Sequence, residues 1–193
     1  MGRMNGPGDR EYQEAVSGLL GRLWQTKQKT VDLVDAWSRR TPDAELYAGL
    51  HSQLTDERRQ VRLIGEEIKQ RGGSLSSPIQ EQLMSRPFAL VKMQSDDVFR
   101  LCALHKGIKG FTVRRLGQMV PYVDQSLARL IDQMSREDAR HIRWADIRIS
   151  RSLGVIDARQ CDLIVNQLES MLEGIWLKPW RQLTQWRQVS RAS

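Results

Sequence analysis

The chain of 193 residues carries 30 lysines and arginines against 23 aspartates and glutamates, a formal net charge of +7, and 40% of its residues are hydrophobic. This balance, with only six prolines, is typical of a helix-rich globular protein and excludes an intrinsically disordered chain. No run of eighteen apolar residues occurs, which excludes a transmembrane helix, and we therefore expect a cytoplasmic protein.

The first two predicted helices form a hairpin. Apolar residues recur at three- and four-residue spacing over about residues 11–39, which predicts a one-sided first helix. Thr41 followed by Pro42 is typical of an N-cap and a first helical position, so we expect a second helix from there to Gly72 and Gly73. The short turn between the two helices predicts antiparallel packing.

A second hairpin is predicted after a long connection. Residues 72–88 contain two prolines and little sustained periodicity, and we interpret them as a crossover. It leads to a third helix that is expected to begin within residues 89–94 and to end near Val120. Pro121 marks a boundary. A fourth helix is expected over residues 122–153, and Gly154 is expected to end it.

These elements predict an all-α protein. Two antiparallel helical hairpins joined by a long crossover make a four-helix bundle over residues 11–153. Residues 1–10 are expected to be a flexible N-terminus. Residues 154–193 are expected to hold a fifth helix, over about 157–177, and a Trp- and Arg-rich tail in which Pro179 breaks the helix.

Polar residues interrupt the apolar stripe of every predicted bundle helix near its middle. Burial of one such group without a partner costs several kcal/mol, so four helices with a polar group at one level indicate a shared site. The groups can pair with each other, with water or with a metal ion. The residues are Lys27 in the first helix, Glu57 and Gln60 in the second, His105 in the third, and Asp138 and His141 in the fourth.

Two of these helices carry a recognisable motif. The stretches DERRQ (56–60) and EDARH (137–141) lie 81 positions apart in equivalent helices. They resemble the acid-x-x-His steps of the ferritin-like di-iron carboxylate proteins. In that family a Glu from each of two helices joins a Glu-x-x-His from each of the other two to hold two metal ions. The resemblance covers about residues 11–153 and implies a ferritin-like four-helix bundle with an extra C-terminal helix and tail.

Transferred one residue at a time, the resemblance implies a site that has lost ligands. Glu57 lies at the second-helix carboxylate position, but Gln60, a weak metal ligand, takes the place of the histidine. Asp138 and His141 lie at the fourth-helix pair, with an acid one methylene shorter than Glu. The third-helix carboxylate position falls at or beside His105.

The first-helix carboxylate position offers Trp24, Gln25 or Lys27. A di-metal site needs about four carboxylates to neutralise and bridge its ions, and only Glu57 and Asp138 remain at this level. The resemblance therefore implies a degenerate di-iron site that binds at most one metal ion, and not a working di-iron oxidase. The rival hypothesis is an active metal-dependent oxidase or oxygenase of the same superfamily, with further ligands from the crossover or the fifth helix.

Two ways of filling the site stay open. One divalent ion, such as iron, zinc or manganese, suits a mixed nitrogen and oxygen shell. The ligands of such an ion are Glu57, His105, Asp138 and His141. Alternatively no metal binds, and Lys27 pairs as a fixed cation with Glu57 and Asp138 while Gln60 and the histidines complete the hydrogen bonds. A lysine in the stripe repels a metal ion at short range, which favours the second interpretation.

The two cysteines, Cys102 and Cys161, lie in apolar helical stretches without a paired-spacing motif. Because Cys102 precedes His105 by three residues, a shared metal or a His-activated thiolate is one interpretation, and a small buried hydrophobe is the other. We favour the hydrophobe and expect reduced thiols in the core.

Basic residues surround tryptophans in the C-terminal tail. The pattern suits a partner groove or a membrane interface, but the tail can also dock on its own bundle or across a dimer, which we favour. We expect a homo-oligomer or a protein partner through the tail, so a non-catalytic binding or assembly protein is a third function class. Nucleic acid is not favoured, because basic residues are spread along the chain. The candidate contact residues are Trp176, Trp180, Trp186, Arg181 and Arg187.

Overall fold

The computed structural model describes residues 7–75, 78–152 and 155–192, and within these residues it contains helices and no strand. The all-α prediction is therefore confirmed. The helices are α1 (Pro7–Ser38), α2 (Ala44–Gln70), α3 (Pro78–Lys92), α4 (Asp97–Leu101), α5 (Gly110–Met119), α6 (Gln125–Ser152) and α7 (Val155–Ala192). A π-helical segment (Cys102–Lys109) joins α4 to α5, and a 3-10 turn (Val120–Tyr122) precedes α6. We call α4, the π segment and α5 together the third bundle helix.

The start of the chain is more helical than predicted. α1 begins at Pro7, so residues 7–10 of the segment expected to be flexible are helical, while residues 1–6 lie outside the described residues. The cap of α2 also differs from the prediction. The side chain of Asp43, and not that of Thr41, accepts a hydrogen bond from the backbone N–H of Leu46 at 2.8 Å. An aspartate in this position satisfies an N–H that the helix leaves unpaired.

The predicted crossover contains a helix of its own. α3 starts with Pro78, a residue suited to the first helical position, and it buries Met84, Phe88 and Val91 at four- and three-residue spacing. It packs against α1 and α7. The prediction of a third helix starting within residues 89–94 is therefore wrong: that helix begins at Asp97, and the carboxylate of Asp96 caps it.

Three antiparallel helix pairs surround the centre of the molecule. α1 packs against α2, α2 against α6, and α6 against the third bundle helix. Contacts across each interface run in opposite chain directions. They join Asp35 to Arg58 and Trp24 to Gly65, then Asp56 to His141 and Gln60 to Glu137, then Lys106 to Asp146 and Lys109 to His141.

α7 packs against both α1 and the third bundle helix. It continues through Pro179, contrary to the prediction that this proline breaks the helix. A proline inside a helix leaves the carbonyl four residues earlier without its N–H partner. Here that carbonyl belongs to Ile175, and Nε of Arg22 donates a hydrogen bond to it at 2.8 Å. The arginine of α1 therefore replaces the missing backbone donor.

The two cysteines are joined by a disulfide, so the prediction of reduced thiols is wrong. Cys102 begins the π segment and Cys161 lies on α7, and both are buried. Helices that pack with facing thiols cannot be recognised from the spacing of two cysteines along the chain. Disulfides are rare in cytosolic proteins, so this bond weighs against the cytoplasmic location, which stays a prediction. None of the helices in the described ranges is long and apolar enough to cross a membrane.

Candidate functional site: a buried centre of two lysines and two carboxylates

Four charged side chains meet between α1, α2, the third bundle helix and α6. Nζ of Lys27 lies 2.6 Å from Oδ2 of Asp138 and 3.2 Å from Oε2 of Glu57. Nζ of Lys109 lies 2.6 Å from Oε1 of Glu57 and 3.8 Å from Oδ1 of Asp138. Each ammonium therefore faces both carboxylates, and we call these four residues the charge centre.

The charge centre is closed to solvent. The side chains of Lys27, Lys109 and Asp138 are each 2% exposed, and that of Glu57 is fully buried. Two ammonium groups and two carboxylates sum to zero formal charge. Removal of one charge from such a group leaves its partner buried and uncompensated, which is strongly destabilising.

His141 connects the charge centre to a more exposed acid. Its Nδ1 lies 2.9 Å from Nζ of Lys109, and its Nε2 lies 3.1 Å from Oδ2 of Asp56, whose side chain is 25% exposed. An ammonium can only donate and a carboxylate can only accept, so the contact with Lys109 is a hydrogen bond only when Nδ1 is unprotonated and Nε2 donates to Asp56. Asp56 thereby orients His141 as a carboxylate orients a metal-bound histidine. Burial and the Lys109 charge lower the pKa of His141, but its contacts with Asp138 and Glu57 outweigh them and raise that pKa above 6.5.

His105 lies beside the charge centre and not in it. Its Nε2 lies 2.8 Å from Oε1 of Gln53, and Nζ of Lys109 donates to that same oxygen at 3.3 Å. Burial, with the nearby Lys109 charge, holds the pKa of His105 well below its ordinary value of 6.5. His105 is therefore neutral and belongs to the hydrogen-bonded surroundings of Lys109.

Gln60 also takes part through a neighbour. Its Nε2 donates to Oε2 of Glu137 at 2.8 Å, and Arg59 makes an ion pair with the other oxygen of Glu137 at 3.0 Å. The His141 contact has the same arrangement. The central carboxylates are Glu57 on α2 and Asp138 on α6. In both contacts, an acid of one helix bonds the residue three positions after the central carboxylate of the other helix. Asp56 contacts His141, and Glu137 accepts a hydrogen bond from Gln60.

The ionised forms of the charge centre stabilise each other. Burial alone raises the pKa of Glu57, but the charges of Lys109 and Lys27 outweigh it and hold that pKa well below 4.5. Burial lowers the pKa of Lys27, but Asp138 and Glu57 outweigh it and raise that pKa above 10.5. Both groups are therefore charged across the physiological range.

Glu57, Asp138 and His141 form a buried group that can hold a metal ion, with one ligand atom of each within 4.8 Å of the others. The two ammonium groups lie within ion-pair distance of the same carboxylates. A divalent ion placed among these carboxylates would meet two positive charges at short range, and it fits the donor set only if a lysine withdraws. His105 is not a member of the trio, so the predicted four-ligand shell is not assembled as proposed.

Lys109 is the central residue that the sequence analysis missed. Helical periodicity assigned the inward position of the third helix to His105, but the π segment changes the register, so that both His105 and Lys109 are buried. A weak internal repeat in the sequence indicates that Lys109 corresponds to Lys27. KQKTV (27–31) matches KGFTV (109–113), and TDERRQVR (55–62) matches REDARHIR (136–143), at offsets of 82 and 81 residues.

The repeat also has a structural counterpart. Thr30 and Thr112, each three positions after a central lysine, are both buried. Their hydroxyls donate to the carbonyl oxygens four residues earlier, at 2.8 Å and 2.7 Å. Lys27 and Lys109 therefore occupy equivalent places in two similar halves of the chain.

The tryptophans of the tail lie against the chain's own bundle. Trp176 is fully buried, so it is not part of the surface of the chain. The ring of Trp180 contacts that of Tyr122 with centroids 5.6 Å apart, and the ring of Trp186 contacts that of Tyr12 at 4.5 Å. Of the two basic candidates, the guanidinium of Arg187 lies 5.2 Å from the centroid of the Tyr122 ring, and Arg181 is exposed. A partner contact through the tail stays a prediction.

Comparison of the chain with protein-family models, with curated proteins and with solved structures finds no match in any of the three.

Proposed function

We propose that this chain is a ferritin-like helical-bundle protein with a degenerate di-iron site, in which the ammonium groups of Lys27 and Lys109 take the place of two metal ions. In the proposed resting state the charge centre is metal-free, and the protein is not a working di-iron oxidase. Its role is then that of a non-catalytic bundle protein whose central charges hold four helices in register.

The observation that carries this proposal is the place of the two lysines. In the ferritin-like pattern, the first and third helices each supply a carboxylate. Here Lys27 and Lys109 come from the first and third bundle helices and pair with the acids of the second and fourth, which supports the proposal. Replacement of two carboxylates by two lysines removes two negative charges and adds two positive ones. The remaining carboxylates, Glu57 and Asp138, are neutralised by the lysines and need no cation.

A second candidate function keeps one metal ion. It is supported by His141, whose Nε2 contacts Asp56 and whose Nδ1 faces the two central carboxylates at 3.5 Å and 3.7 Å. A divalent ion such as iron, zinc or manganese would then bind through Glu57, Asp138 and His141 after Lys109 withdraws. That site would be the starting point of the metal-dependent oxidase or oxygenase alternative.

Elemental analysis of the chain, purified without chelators or a metal-binding tag, separates the two candidates. We expect no stoichiometric metal ion, before or after incubation with ferrous, manganous or zinc ions. About one ion per chain, lost in His141→Ala, would establish the second candidate, and about two ions would overturn both.

A reconstruction tests the proposal more directly. The double variant Lys27→Glu with Lys109→Glu restores an acid to the first and third helices, and we expect it to gain binding of manganous or cobaltous ions. The matched control is Lys29→Glu with Lys106→Glu, which changes net charge equally on partly exposed lysines of the same two helices. Equal metal binding by both variants, or by neither while the first remains folded, contradicts the proposed equivalence of lysines and metal ions.

A further inference from the structure

A cleft unrelated to the charge centre lies where the C-terminal ends of α1 and α3 meet α4. It has a volume of about 290 Å³. Three of its lining residues are apolar and three are basic. They are Leu33, Ala36 and Trp37, and Arg40, Lys92 and Arg100.

The apolar wall is held by a fixed basic side chain. The guanidinium of Arg100 lies 5.2 Å from the centroid of the Trp37 ring. Oδ1 of Asp97 accepts hydrogen bonds from Nε1 of Trp37 and from Nη1 of Arg100, both at 2.9 Å. Asp97 is therefore committed to these two neighbours, and it does not line the cleft.

The other two basic side chains, Arg40 and Lys92, are exposed and have no acidic partner among the described residues. The cleft between α5 and α7 is different, because there Arg114 pairs with Glu169 and Arg115 pairs with Glu173. Arg40 and Lys92 therefore line one cleft without a counter-charge, and like charges repel one another. An anion bound beside them would supply that counter-charge, and Arg100, which Asp97 already neutralises, lines the same cleft.

We infer that this cleft binds a small organic anion, with a phosphate or carboxylate head at the basic side chains and a compact apolar body against exposed Ala36 and the small exposed parts of Leu33 and Trp37, each 4% exposed. The volume limits the size of the ligand, since pockets for drug-sized molecules measure about 300–1,000 Å³ and this cleft lies just below that range. Arginine suits either head group because its planar fork pairs with two oxygens at once. This inference is independent of the proposed function of the charge centre.

Calorimetric titration with phenyl phosphate, benzoate and benzyl alcohol tests the inference. We expect at least one of the two anions to bind and the uncharged alcohol not to bind. Binding of phenyl phosphate alone would assign a phosphate head, and binding of benzoate alone a carboxylate head. Failure of both anions to bind, or equal binding of the alcohol, overturns the inference.

Two double variants locate the site. Arg40→Gln with Lys92→Gln is expected to weaken anion binding at least tenfold. The matched control, Arg39→Gln with Arg136→Gln, removes the same net charge from exposed residues that pair with Asp35 and Asp132. It is expected to change binding less than twofold. An equal loss in both variants would show attraction by net charge alone, and full retention in the first would place the ligand elsewhere; either result contradicts the inference.

Discussion

Nζ of Lys109 lies 2.6 Å from Oε1 of Glu57, and neither side chain is more than 2% exposed. Removal of this ammonium leaves one excess negative charge in the core, because Lys27 is then the one remaining cation that faces Glu57 and Asp138. We expect Lys109→Met to lower the free energy of unfolding by about 3–5 kcal/mol, measured by denaturant titration.

Lys106, in the same π segment, supplies the control. Its Nζ lies 3.4 Å from Oδ1 of Asp146, and its side chain is 41% exposed. Lys106→Met should cost no more than about 1 kcal/mol. The double variant Lys109→Met with Glu57→Gln removes both charges and should recover part of the lost stability. Equal costs for the two single lysine variants would show that the buried pair does not stabilise the fold.

Tyr12 gives the pH dependence that is simplest to observe. Its hydroxyl donates to Oδ2 of Asp124 at 2.9 Å, and burial together with that bond raises its pKa from 10.0 to about 12. Because the folded-state pKa is the higher one, the contribution of Tyr12 to stability is complete below pH 10 and is lost as the pH rises towards 12. Ultraviolet titration should show the ionisation of Tyr12 near pH 12.

Tyr12→Phe should remove that late ionisation and flatten the alkaline fall in the free energy of unfolding. Tyr47→Phe, a change at a tyrosine that is 46% exposed, should leave both unchanged. If the late step persists in Tyr12→Phe, the hydrogen bond to Asp124 is not its cause.

The disulfide joins residues 59 positions apart in the chain. Closing a loop of that length restricts the unfolded chain, so Cys102→Ala with Cys161→Ala should lower the free energy of unfolding by about 4 kcal/mol in the chain-entropy account. Unfolded wild-type protein should not react with a thiol reagent until it has been reduced. Two reactive thiols without reductant would show that the bond is absent and would restore the prediction of reduced cysteines.

The helices were predictable where apolar spacing is regular and where a turn residue ends it. α1 and α2 follow such spacing up to Gly72, which has a positive φ of 74° that glycine adopts at low cost. The sequence does not predict α3, because prolines are typical of breaks, yet Pro78 starts that helix. The helix also continues through Pro179 against the prediction. Arg22 of another helix replaces the backbone donor that Pro179 lacks, and nothing in the sequence near Pro179 indicates this.

The site was predictable in part for the same physical reason. Lys27, Glu57, Asp138 and His141 interrupt straight α-helical stripes, and all four are brought together. Lys109 is the last residue of a π segment, and periodicity alone cannot locate the extra residue of such a turn. The contacts of Gln53 and Asp56 depend on neighbouring helices, so no spacing along one helix predicts them.

A pair of glycines tests the close approach of α2 and α6. A Cβ added to Gly49 would overlap the indole of Trp144, whose ring also contacts that of His105 with centroids 5.8 Å apart. We expect Gly49→Ala to destabilise the protein by about 1–3 kcal/mol, because the indole must move. A Cβ added to Gly117 of α5 meets no atom within 4 Å, so Gly117→Ala should stabilise by up to about 1 kcal/mol through helix propensity alone. Thermal and denaturant unfolding of both variants measures the difference, and a stabilised Gly49→Ala protein would contradict the packing of Trp144 on α2.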